Sequence, residues 1–200
     1  MADAIILDLD PVSTSTITGV DEIIKNYSEY KIPDYSKFLK ELQEMGVALN
    51  EDPSAFGLSS LNVQIAKVDA QKTRAASILG IAITNESRIE VWAKKLNMIF
   101  KREFDSRLPK SPIKEFSNKE LREAACNTLL SELKKAVDTV EGSLLQSKAF
   151  TKFVQNTLDK LDSTNKNISR QITVVQIQID IGEIQRRSSE GNNYTFENDN

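Results

Sequence analysis

The sequence contains no histidine, which removes imidazole acid–base catalysis and every histidine-containing metal site. Its single cysteine, Cys126, has no partner for an intrachain disulfide or a thiolate cluster, and nothing points to an oxidising compartment. Seven glycines and five prolines, with no proline after Pro112, leave too few tight turns for an all-β fold. No apolar run approaches the roughly 18 residues of a membrane span. Neither the P-loop nor the dinucleotide fingerprint is present. The Asp8-Leu-Asp10 pair lacks the surrounding pattern of a catalytic carboxylate motif, and the other carboxylates are scattered as on solvated helix faces. The start, Met1-Ala2-Asp3, carries no basic region of a secretory signal. These absences predict a cytoplasmic protein with no catalytic residues, metal, cofactor, small-molecule substrate or membrane partner.

What is present is charge in blocks. Apolar residues make up 40 % of the chain and charged residues 28 %, enough for a folded core in one domain of 200 residues. The net charge of −3 hides an uneven distribution. Residues 1–59 hold 4 Lys+Arg against 11 Asp+Glu, whereas residues 60–122 hold 13 against 7. The densest part contains Lys94, Lys95, Lys101, Arg102, Arg107, Lys110 and Lys114. Such a segment reads either as a solvated helix end or as a set of phosphate contacts.

Periodicity supplies the fold. Residues 1–19, with the run Ile5-Ile6-Leu7 and a Ser/Thr-rich stretch, read as an extended or disordered arm. Residues 20–59 read as a short acidic helical region: a helix at 20–30, a second at 35–45 capped by Asp34 and closed by Gly46, then a loop at 50–57. Alternating steps of four and three from Leu61 to Phe100 meet ten apolar residues in twelve, a heptad seam on a helix at 60–106. A second stripe, Ile78, Ile81, Trp92 and Ile99, predicts contact with a third element. Pro109 and Pro112 place a connector at 107–116, and Ser117 with Glu120 forms a capping-box signature. The next seam runs from Cys126 to Ile179 with thirteen apolar positions in sixteen, on a helix at 117–187. Within it, 171–181 also alternates as a strand would, although the heptad register continues through it. Gly142 marks a candidate bend, Gly182 a stop, and 188–200 a disordered tail.

The fold class that follows is all-α: an elongated antiparallel hairpin of two long coiled-coil helices, with small N-terminal helices and flexible ends. The second helix is the longer, so 165–187 is expected to lack a partner inside the hairpin. Its seam of Ile168, Ile172, Val175 and Ile179 would cost about 2 kcal/mol per large side chain to expose. Asn165 at a seam position reads as a register selector or as a surface residue at a stutter. Self-association through Asn165, Ile168, Ile172, Val175 and Ile179 is therefore expected. Cys126 opens the second seam as a small buried hydrophobe. Trp92 and Phe104 are candidates for base stacking, although aromatics at this spacing are more often core.

Residues 111–125 read Ser-Pro-Ile-Lys-Glu-Phe-Ser-Asn-Lys-Glu-Leu-Arg-Glu-Ala-Ala, and residues 158–172 read Leu-Asp-Lys-Leu-Asp-Ser-Thr-Asn-Lys-Asn-Ile-Ser-Arg-Gln-Ile. A long helix, a basic Pro/Ser connector and these two stretches resemble small all-helical proteins of tailed phages, the UvsY-like recombination mediators. The resemblance spans about residues 60–180. It implies an oligomeric accessory protein in the host cytoplasm that binds single-stranded DNA through Lys and Arg. It further implies loading of a recombinase while single-strand-binding protein is displaced. The competing reading is a coiled-coil scaffold or adaptor that binds only protein, its basic segment pairing with the acidic N-terminal region.

Overall fold

The computed structural model describes residues 9–47 and 57–191, with side-chain surroundings as far as 183. The run at 5–7, Asp8, residues 50–56 of the expected loop and the tail at 192–200 lie outside the described residues. No strand occurs among the described residues, and the chain is all-α. The helices are α1 (Val20–Glu29), α2 (Tyr35–Gln43), α3 (Leu58–Arg107), α4 (Lys119–Leu129) and α5 (Ser131–Gly191), with single 3₁₀ turns at Thr14–Thr16 and Ile113–Glu115. The chain forms two compact units, Met1–Tyr35 with Gly80–Lys152 and Ser36–Leu79 with Phe153–Asn200. Helices α3 and α5 contribute to both.

In the first unit the core is one cluster. Ile89, Ala93 and Leu96 of α3 bury with Leu133, Val137 and Val140 of α5. Ile17, Val20 and Ile23 close it from the N-terminal side, and Ala125, Cys126 and Ile113 from the connector side. Trp92 and Ile99 pack against this cluster alongside Ile24 and Tyr27 of α1, so α1 is the third element that the second stripe called for. Ile81 of that stripe is exposed instead.

The expected helix at 117–187 is broken at Leu130, where the backbone (φ −97°, ψ 19°) leaves the helical region. Such a break strands helix-end carbonyls. Here the N-terminal segment satisfies one: the Val12 N–H donates to the Leu129 carbonyl at 2.8 Å, and the Thr14 N–H to the Glu132 carboxylate at 3.2 Å. Residues 9–19, part of the stretch read as an extended or disordered arm, are thereby docked, with Ile17 in the core. The cap of α4 is Asn118 rather than Ser117, its side chain accepting from the Leu121 N–H at 2.7 Å. The capping box with Glu120 does not form because the cap lies one residue later.

In the second unit α3 and α5 pair antiparallel. Lys72 meets Asp162 at 2.6 Å, and three residues earlier Asp69 accepts from the Asn165 amide at 2.7 Å. Leu61, Val68, Ala75 and Ile78 are buried on α3, and Val154, Leu161 and Ile168 on α5. Leu42 of α2, and Met45 just after it, join the buried set. Arg74 holds the Glu41 carboxylate through two hydrogen bonds of 2.6 and 2.9 Å. Gly46, at φ +140°, adopts a backbone closed to most side chains, and its N–H reaches the Gln71 side chain at 3.0 Å.

This register corrects, for residues 165–175, the expectation that 165–187 has no partner within the chain, whereas residues 176–183 are exposed. Asn165, Ile168 and Val175 (7 % exposed) belong to the α3–α5 seam, and Ile172 is half-buried. The expectation failed because residues 108–130 form the connector, α4 and the Leu130 break, so fewer residues precede the pairing on α5. Only Ile179 of the expected patch is exposed, beside Val174, Ile177 and Ile181. Residues 171–181 are helical, and α5 continues through Gly182 because an interior glycine costs only about 1 kcal/mol.

Ile168→Ala should lower stability by about 2–4 kcal/mol in chemical denaturation, the cost of a cavity in a closed core. A loss well under 1 kcal/mol would show that the seam is open to water at Ile168 instead.

Candidate functional site

The first unit carries the seven basic residues singled out in the sequence. Lys94, Lys95, Lys101 and Arg102 are exposed on α3, Arg107 is half-buried at its end, and Lys110 and Lys114 are exposed in the connector. An i,i+4 spacing puts Glu90 beside Lys94, at 2.9 Å, and this hydrogen bond holds the Glu90 carboxyl below its ordinary range. Arg102 and Arg107 share the two oxygens of Glu103, each at 3.2 Å. Lys95, Lys101, Lys110 and Lys114 have no ion-pair partner among the described residues. The Lys114 N–H donates to the Lys110 carbonyl at 2.9 Å, which sets these two residues one turn apart.

Two of the cations are built into a cleft. Helix α1 presents Gly19, Glu22, Ile23 and Asn26, and α3 presents Trp92, Lys95, Met98, Ile99 and Arg102, around a cavity of about 470 Å³. Both sets follow helical spacing, so each is one face of its helix. Gly19, at φ +86°, turns the chain into α1. Its position tolerates no side chain without strain, and an added Cβ would stand 4.0 Å from Ile99. Ile23, Met98 and Ile99 give the cleft apolar lining, with Lys95 and Arg102 on the α3 side and Glu22 and Asn26 on the α1 side.

Trp92 forms one end of this cleft. Its ring lies edge-on to Tyr27 and Tyr30, with centroids at 5.9 and 5.3 Å. The same ring lines a second cleft with Asn26, Glu29, Tyr30 and Arg88, whose guanidinium lies 4.8 Å over the Tyr30 ring. Phe104, the other aromatic candidate, packs beside Phe100 against the core. The structure thus separates the two: Trp92 borders solvent-accessible space, and Phe104 is packing.

No family model, curated protein or solved structure matches the chain. What the site can do rests on its own residues.

Among the described residues no group of His, Cys, Asp and Glu is arranged to hold a metal ion. No helix among them is long and apolar enough to cross a membrane. Glu41 pairs with Arg74 in the second unit, and Glu22 borders the cleft in the first without an ion pair. Glu22, Asn26 and Met98 were not singled out in the sequence. The one available signal was the amphipathic pattern of α1, whose apolar face had to dock somewhere.

Cys126 is fully buried in the core cluster, its thiol directed at the Phe104 carbonyl at 3.7 Å. Burial pushes its pKa above the ordinary thiol value, so the thiolate is disfavoured near neutral pH. Maleimide labelling of the native protein at neutral pH should be at least about 100-fold slower than labelling in denaturant. Fast native labelling would show that the core around Leu130 opens.

Proposed function

We propose that this chain is a non-enzymatic, self-associating helical protein that binds single-stranded nucleic acid through the C-terminal turns of α3 and the connector. The observation that supports it is the set of exposed lysines without ion-pair partners among the described residues: Lys95, Lys101, Lys110 and Lys114. A structural surface normally intersperses its charges, as Glu90–Lys94 and Glu103–Arg107 do on the same helix. Four cations left to solvent within one short segment suit a polyanion, since phosphate contact releases counterions without first breaking an ion pair. The resemblance to UvsY-like mediators supplies the biological frame, loading of a recombinase and displacement of single-strand-binding protein.

A second reading, a protein-only scaffold, draws on a different feature. Ile177 and Ile181 are 51 % and 50 % exposed one helical turn apart on α5, where an apolar face is costly in water. That face suits contact with a second copy of the chain. Self-association fits either reading, so nucleic-acid binding is what separates them. Deleting residues 1–59 is not a clean test, because Ile17, Val20 and Ile23 belong to the first unit's core.

The intact protein should bind a fluorescent single-stranded oligonucleotide at about 50 mM salt, with affinity about 100-fold lower at about 300 mM, the slope expected for four phosphates. Lys101→Glu, Lys110→Glu and Lys114→Glu together should weaken binding at least about tenfold and flatten the salt slope, with far-ultraviolet circular dichroism unchanged. No binding at the lower salt would leave the scaffold reading.

A further inference from the structure

The cleft between α1 and α3 has a composition that phosphate contact alone does not explain. A phosphate site needs cations and donors, yet Ile23, Met98 and Ile99 also line this cleft, with Met98 73 % exposed at its rim. Apolar lining beside two cations calls for a ligand with both a flat apolar face and negative charge. An acidic peptide meets that description in part. Glu22 argues against it, because a carboxylate standing in the wall repels a carboxylate-rich occupant. A nucleobase instead offers N–H donors to that carboxylate.

We infer that this cleft receives one unstacked base of a bound single strand. The inference rests on the nucleic-acid reading above and adds a site to it. Lys95 and Arg102, seven residues apart on α3 and so about 10 Å apart along its axis, take the phosphates flanking the base, Arg102 exchanging its exposed contact with Glu103 for one of them. The base lies over Met98 and Ile99 with its edge toward Trp92, and a volume of about 470 Å³ is ample for one nucleoside. Glu22 accepts from an exocyclic amine, and Asn26, one turn away, serves as donor or acceptor. Cytosine, adenine and guanine carry that amine; thymine does not. The site therefore favours amine-bearing bases over thymine, a bias that a purely electrostatic surface lacks.

Trp92 is the sole tryptophan of the chain, so its emission reports this cleft directly. The intact protein is titrated at about 50 mM salt with end-labelled oligonucleotides of about 15 nucleotides: oligo(dC), oligo(dT) and an abasic strand of the same length. Anisotropy gives affinity and Trp92 emission gives occupancy. Oligo(dC) should quench Trp92 strongly and oligo(dT) less, and the abasic strand should leave emission unchanged and bind about tenfold more weakly. Met98→Glu, at an exposed position that folding does not need, should abolish quenching, and Glu22→Gln should narrow the preference of dC over dT. Equal binding of the abasic strand, with Trp92 silent for all three, overturns the base site and leaves the basic surface standing. Absence of binding by every strand overturns the nucleic-acid reading beneath it as well. A Trp92 response to an acidic peptide such as oligo-glutamate, with none to oligo(dC), assigns the cleft to a protein partner and overturns the inference.

Discussion

The placement of every functional candidate in the first unit depends on how the second half of α3 divides its surface. One apolar stripe, Ile89, Ala93 and Leu96, buries together with Leu133, Val137 and Val140 of α5. An adjacent stripe, Trp92 and Ile99, packs against the core beside α1. Burying a single Ile or Leu contributes about 1.5–3 kcal/mol, whereas a solvated ion pair such as Glu90–Lys94 contributes little because water and salt screen it. Apolar packing therefore decides how α3 is rotated, and the cations take the positions that remain. Lys95 and Arg102 stand on the border of the stripe that carries Trp92 and Ile99, and so they flank a cleft rather than open water.

Polar groups then fix how the N-terminal segment docks. The Tyr27 hydroxyl meets Ser143 and the Tyr35 hydroxyl meets Ser147, both at 2.5 Å, and the Tyr30 hydroxyl donates to Asn85. Three tyrosines thus reach polar side chains on α3 and α5, and none of their hydroxyls is buried without a partner. Apolar contacts alone would let α1 slide by a turn at modest cost; a buried hydroxyl moved off its partner costs about 1–3 kcal/mol. Two of them, Tyr27 and Tyr30, also frame Trp92, so residues that fix the position of α1 shape the cleft wall.

The long seams were legible because their signal is redundant: ten apolar residues in twelve, or thirteen in sixteen, survive any local error. The break at Leu130 was not, since what stabilises it is a hydrogen bond from Val12, more than a hundred residues away. No local rule marks Leu130 as a helix end. The register was missed for the same reason, because α4 and the connector consume residues that an uninterrupted helix would have given to the seam. Asn165, read as a register selector or a surface residue, bonds Asp69 at the edge of the seam and serves the pairing of α3 with α5. The basic residues were visible as a cluster, and the Glu partners of Lys94 and Arg107 were present at readable i,i+4 spacing. The α1 wall of the cleft was invisible, because Glu22 and Asn26 meet Lys95 and Arg102 only after α1 docks.

A chain with net charge −3 can still hold a polyanion, because what matters is the charge within a screening length. At physiological ionic strength that length is about 8 Å, so distant carboxylates are largely masked and the local set decides. On the proposed reading Glu103 competes with phosphate for Arg102 and Arg107 and Glu90 for Lys94, Asp105 and Glu115 stand exposed in the same segment, and Lys95, Lys101, Lys110 and Lys114 carry most of the contact. Four screened contacts make a weak site in a single copy. On the proposed reading, the exposed isoleucines of α5 compensate: copies held together along one strand turn each later contact into an intramolecular event, and affinity grows without new residues. Modest sites multiplied by self-association also release a strand segment by segment. A protein that hands its strand to a partner needs that property more than it needs tight binding in any one copy.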